Sequence, residues 1–169
     1  MSKEDTIKLY EFLNGDISIK EFEQWVYQTP SLKEELQTTV YLDLLSFDYR
    51  QKGAAYFIEQ KINPYINKEE YNIWRTKKLL NDILENKIEI VIAMRKLRQL
   101  YFETGEKLLP IKLALGYESE LDDVPTPDEY SKWEENSLKE KLKKVELYRD
   151  DIMRDSKVFL EELMLKEQQ

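Results

Sequence analysis

Residues 137–166 read SLKEKLKKVELYRDDIMRDSKVFLEELMLK, and their spacing decides the fold class. Leu138, Leu142, Val145, Ile152, Phe159 and Leu163 follow a period of about 3.6 residues and share one face, with Lys and Glu around the rest. Arg149 and Ser156 interrupt the stripe, and Leu147 and Tyr148 lie beside it. The pattern predicts a long amphipathic helix packed on a body of other helices. A free coiled coil is disfavoured because the heptads are few and imperfect.

Upstream segments repeat the helical period in shorter pieces. Lys3 to Asn14 predicts a helix with Ile7, Tyr10, Phe12 and Leu13 inward. Ser18-Ile-Lys-Glu21 has the form of a capping box, in which a hydroxyl and a carboxylate satisfy each other's exposed amides, and it introduces Phe22, Trp25 and Val26. Ser31-Leu-Lys-Glu34 has the same form. A helix is expected after Gly53 through Phe57 and Ile58, and Pro64 then disfavours helix at Asn63. Ile73, Leu80, Ile83 and Leu84 continue the period, as do Ile90, Met94, Leu97 and Tyr101. The expected fold is all-α, a multi-helix bundle with short N-terminal helices and a long C-terminal amphipathic helix. A minor β alternative stays open at 38–49 and 88–92, where β-branched residues cluster or alternate. Pro64 marks the internal boundary, giving a small helical subdomain at 1–63 and a helical bundle at 64–169, or one continuous domain. Gly15, Gly53, Gly105 and Gly116 each read as a helix stop or turn, and no two are close enough to cradle a phosphate.

Composition removes whole classes of chemistry. The chain holds 26 Lys and Arg against 34 Asp and Glu, a net charge of -8 that opposes binding to nucleic acid or anionic lipid. Neither cysteine nor histidine occurs. Disulfides, thiolate sites, His-ligated metals and imidazole bases therefore have no residues to work with. The segment MSKEDTIKLY has no apolar core of signal-peptide length, and the expected location is the cytoplasm. The expectation is a protein that is no enzyme, takes no cofactor or metal, and binds neither membrane nor nucleic acid. Basic runs at Arg75 to Lys78, at Arg95, Lys96 and Arg98, and at Lys139 to Lys144 read as solvent faces paired with nearby acids.

One stretch remains, LGYESELDDVPTPDEY at 115–130. Thr126-Pro-Asp-Glu129 carries the marks of a helix start, a hydroxyl cap, a proline and first-turn acids, so Asp128 and Glu129 need no other reason. Glu118, Glu120, Asp122 and Asp123 are left over. A calcium loop lacks its turn glycine here, and a di-iron bundle lacks its histidines. These four, with Tyr117 and Tyr130, become the candidate docking residues for a basic protein. Trp25, Trp74 and Trp133 lie on apolar stripes, and any one that is exposed would lead as an interface anchor.

Residues 10–49 contain FEQWVY, LKEEL and YLDLLSFDY in that order after a short helix and Gly-Asp. Through Phe22, Glu23, Trp25, Val26, Tyr27, Leu36, Tyr41, Leu42, Leu44, Asp48 and Tyr49, the segment Ile7–Tyr49 resembles the small acidic bacterial immunity proteins that neutralise polymorphic or contact-dependent toxins. The resemblance carries no catalytic motif. It implies stoichiometric occlusion of a basic toxin domain, with Trp25, Tyr27, Asp48 and Tyr49 as an alternative surface. A helical scaffold or mobile-element accessory acting by self-association is the competing expectation, and a carboxylate-based metal enzyme the third. Oligomeric state is left open.

Overall fold

The computed structural model describes residues 1–166. Among them there is no β-strand: both β-rich stretches are helical or lead into helix. The chain forms two compact units, Met1–Tyr71 and Asn72 onward. The seam lies within a helix, a few residues after Pro64, which itself sits in a 3-10 turn over Asn63–Tyr65.

The first unit contains α1 (Lys3–Leu13), α2 (Ile19–Gln28), α3 (Leu32–Glu35), α4 (Thr38–Leu45) and α5 (Ala54–Ile62). Its core gathers Leu9, Phe12, Phe22, Val26, Leu32, Leu44, Ile58 and Ile62. The Phe12 and Phe22 rings lie 4.1 Å apart between centroids and fasten α1 to α2. Leu9, fully buried, replaces Ile7 and Leu13 as the inward residue of α1; those two are half-buried. Phe57 is exposed, whereas Ile58 beside it is buried. The Ser18 box forms, with Glu21 N–H donating to Ser18 Oγ at 3.2 Å and Ser18 N–H to Glu21 Oε2 at 2.7 Å. The second box does not. Ser31 has helical angles, φ -59 and ψ -24, so its hydroxyl cannot fold back as a cap, and the turn starts from Thr29 and Pro30 carbonyls instead.

The second unit is built on α6 (Lys68–Leu84, which begins before the seam), α7 (Ile90–Glu103), α8 (Tyr117–Glu120) and α9 (Glu135–Lys166). Helix α7 is its centre: Ile90, Met94, Leu97 and Tyr101 are all buried, as their spacing requires. Val145, Ile152, Phe159 and Leu163 of α9 join the same core with Leu80, Leu113 and Val124, while Leu138 and Leu142 are half-buried. Ser156, an interruption in the stripe, is fully buried within it.

Helices α1, α6 and α7 end alike. Asp16, Lys87 and Glu106 donate to the carbonyls five residues back, Glu11, Asp82 and Tyr101, across a left-handed residue at Gly15 (φ 77), Asn86 (φ 53) or Gly105 (φ 70). Gly116 is different. It is no stop, because Lys112–Gly116 forms a π-helical turn that continues into α8, closed by Tyr117 N–H to Lys112 O. Among the described residues, no helix is long and apolar enough to cross a membrane.

Candidate functional site

The acidic stretch of the second unit is held in place by its own charges. Tyr117 is 4 % exposed and belongs to the core. Its hydroxyl donates to Asp155 Oδ2 at 2.7 Å, and Lys112 Nζ reaches the same oxygen at 2.7 Å. Burial of the phenol outweighs the nearby ammonium and pushes its pKa up. Glu118 is half-buried and faces Arg98 at 3.4 Å, and Glu120 accepts from the Tyr148 hydroxyl at 3.1 Å. Asp123 takes hydrogen bonds from both Lys141 and Lys144. Those two ammonium groups, Lys141 foremost, pull its carboxyl down to about 2. Only Asp122 of the four leftover acids has no ion-pair or hydrogen-bond partner among the described residues.

Asp128 and Glu129 act as a helix start requires. Thr126 N–H and Oγ both donate to Glu129 Oε2 at 3.0 Å, opening a 3-10 turn over Pro127–Lys132. Tyr130 in that turn is half-buried and lines a groove of about 470 Å³ floored by Val91, Leu142 and Val145. Trp133 follows it on an expected apolar stripe but is 39 % exposed, which makes it the anchor that this unit would offer a partner. Its neighbours Lys132 and Glu134 were the available signal, since a core tryptophan seldom sits between two charges on a short turn. Lys139 and Lys143 pair with Glu135 and Glu140, Lys141 and Lys144 with Asp123, and Arg75 with Glu103 at 2.7 Å, so these cations serve the solvent faces.

The alternative surface lies in the first unit. Tyr49 is buried and donates to Leu44 O at 2.9 Å, so it supports rather than contacts. Tyr27, 50 % exposed, packs edge-on against it at 6.4 Å and reaches Leu45 O at 3.3 Å. Asp48 is exposed and its Oδ1 caps Arg50 N–H at 3.0 Å. Trp25 is half-buried against Phe22, with ring centroids 5.4 Å apart, and walls a cleft of about 570 Å³ between α1 and α2. Glu4, Asp5, Lys8 and Glu11 line the same cleft. Lys8 is bound to Glu11 at 2.7 Å, and Asp5 holds Ser2 Oγ at 2.6 Å, which leaves Glu4 exposed at the rim. The cleft depends on how α1 approaches α2, a relation no local pattern encodes.

No protein-family model, curated protein or solved structure matches the chain. The candidate surfaces therefore rest on geometry. Met1–Tyr71 contains thirteen acidic against eight basic residues, so this unit carries -5 of the net -8. The 115–130 stretch is itself acidic, but basic residues elsewhere in the second unit, Arg98, Lys141 and Lys144 among them, offset its charge.

Proposed function

We propose that the protein acts by binding another protein, as an immunity protein that neutralises a basic toxin domain one-to-one. The observation that carries this reading is the first unit's pairing of surplus negative charge with accessible aromatic surface. Tyr27, Tyr56 and Phe57 are exposed there, and the Trp25 cleft offers an aromatic wall beside carboxylates. A Lys or Arg side chain of a partner fits that chemistry, with the ring face and the acids both favouring a cation. Unit charge would speed encounter at low salt, and a few aromatic anchors would hold the complex. This moves the weight of the docking reading from Glu118, Glu120 and Asp123, whose carboxylates are engaged internally, to Trp25, Tyr27 and the acids near them.

The test is capture of the native protein with its partner from the source organism at low salt. The expected result is a basic protein in equal amount, whose toxicity is relieved on binding and whose affinity falls about tenfold on Glu4→Lys. An acidic partner, or binding indifferent to salt, would overturn the reading. A helical scaffold is the second reading, favoured by one observation: Leu147, Val158 and Leu165 of α9 are all exposed.

A further inference from the structure

Helix α9 buries one stripe and exposes another. Leu147, Val158 and Leu165 are 72 %, 50 % and 61 % exposed. At about 100° per residue they fall within roughly 20° of one line, on the side opposite Val145, Ile152 and Leu163. Asp155 aside, which is held by Lys112 and Tyr117, the charges around that line change sign in order along the helix: Lys143 and Lys144, then Asp150 and Asp151, then Arg154 and Lys157, then Glu161 and Glu162. Read from the two ends inward, each of these charges is answered by its opposite at the mirrored position or within two residues of it. The mirror point lies between Ile152 and Met153.

We propose that this outer face pairs with the same face of a second copy, antiparallel, about a two-fold axis at that point. A two-fold contact places one patch against itself, so it demands self-complementarity. In this register Leu147 meets Val158 of the second copy, and Asp151 meets Arg154 of the second copy. Lys143 and Glu161 lie about 40° to one side of the line, and Lys144 and Glu162 about 60° to the other. The two-fold keeps residues on their own side, so each lysine meets the glutamate that shares its side. Asp150 and Lys157 match in the same way. A parallel pairing would set Lys143 on Lys143, Arg154 on Arg154 and Glu161 on Glu161, all repulsive.

Lys144 also holds Asp123 at 2.9 Å and would be shared with it, while the other existing pairs leave this exchange open. Lys143 binds Glu140 at 2.5 Å with both side chains about 70 % exposed, and Arg154 binds Asp151 at 2.6 Å on the open surface. Such exposed pairs are weak and change partners readily. Glu161 and Glu162 have no ion-pair partner among the described residues. With so few apolar residues on the face, the dimer belongs to the small, reversible class of interfaces.

The absence of cysteine makes the register directly testable. Oxidising an equimolar mixture of Leu147→Cys and Val158→Cys proteins is expected to give the mixed disulfide dimer. Either variant alone is expected to give no disulfide-linked dimer, because its thiols are offset by eleven residues, about 16 Å along the axis, and a disulfide needs Cα atoms within about 7 Å. Lys143→Glu with Lys144→Glu should reduce the mixed dimer at least tenfold, and adding Glu161→Lys with Glu162→Lys should restore it. Sedimentation of the unaltered chain should show a reversible dimer with Kd below about 1 mM. A monomer throughout that range, or cross-linking of each variant alone as readily as the mixture, overturns the proposal. So does a mixed dimer indifferent to the charge reversal. None of these results bears on toxin capture, which is measured with a different protein present.

Discussion

The hydroxyl of Tyr117 donates to Asp155 Oδ2 at 2.7 Å, joining the π-helical turn and α8 to the middle of α9. Because Asp155 also holds Lys112 and Arg154, the tyrosine completes a network rather than an isolated bond. Tyr117→Phe removes the donor and keeps the ring, and it should lower stability by about 1 kcal/mol in urea unfolding. No change would mean that Lys112 alone satisfies the carboxylate.

Ser156 presents the reverse case. Its Oγ is buried and has no hydrogen-bond partner among the described residues. A buried hydroxyl left unmatched is costly, so Ser156→Ala should raise stability by about 1 kcal/mol. Loss of stability instead would reveal a hidden partner for the hydroxyl.

The two serine boxes separate under mutation. Ser18→Ala removes a formed cap and should cost about 1 kcal/mol. Ser31→Ala removes nothing that caps α3 and should lie within about 0.5 kcal/mol of the unaltered protein. Equal losses would contradict the difference in their hydrogen bonding.

Asp123 couples stability to acidity. Its carboxyl is held at about 2 in the folded chain, below the ordinary value of 3.8. A depressed carboxylate contributes stability above its unfolded pKa and loses that contribution as pH falls through its folded pKa. Asp123→Asn should therefore flatten the fall of melting temperature between about pH 4 and pH 2. The unaltered chain should keep the steeper slope. Identical slopes would show that neither Lys141 nor Lys144 holds the carboxylate in solution.

Leu97 is fully buried at the centre of α7. Leu97→Ala leaves a cavity and should cost about 3 kcal/mol, read from denaturant midpoints. A cost under about 1 kcal/mol would mean that the surrounding helices close onto the gap.

Helical faces were readable where one apolar stripe dominated. Ile90, Met94, Leu97 and Tyr101 all turned out buried, and so did Val145, Ile152, Phe159 and Leu163 of α9. The β-rich stretch at 38–49 became α4 and a turn, since a lone strand would have left its backbone amides without a ladder. In α1 Tyr10 and Phe12 are buried as expected, but the crowding of apolar residues hid Leu9, which is buried more deeply than either. Ser31 failed as a cap because capping depends on the residue's own backbone angles, which the four-residue pattern does not specify. The engagement of the acidic stretch was hidden for another reason. Lys141 and Lys144 reach Asp123 only because α9 folds back beside it, and such distant pairing has no period to read.

The wide turn at Lys112–Gly116 acts as a phase adjuster in an otherwise regular coil of chain. The turn closes over one residue more than ordinary winding needs. Removing a single residue there should let the backbone tighten to that winding and leave Tyr117 aimed at Asp155, whereas adding one would swing everything after it by about 100°. This short segment should consequently accept a deletion far more easily than an insertion.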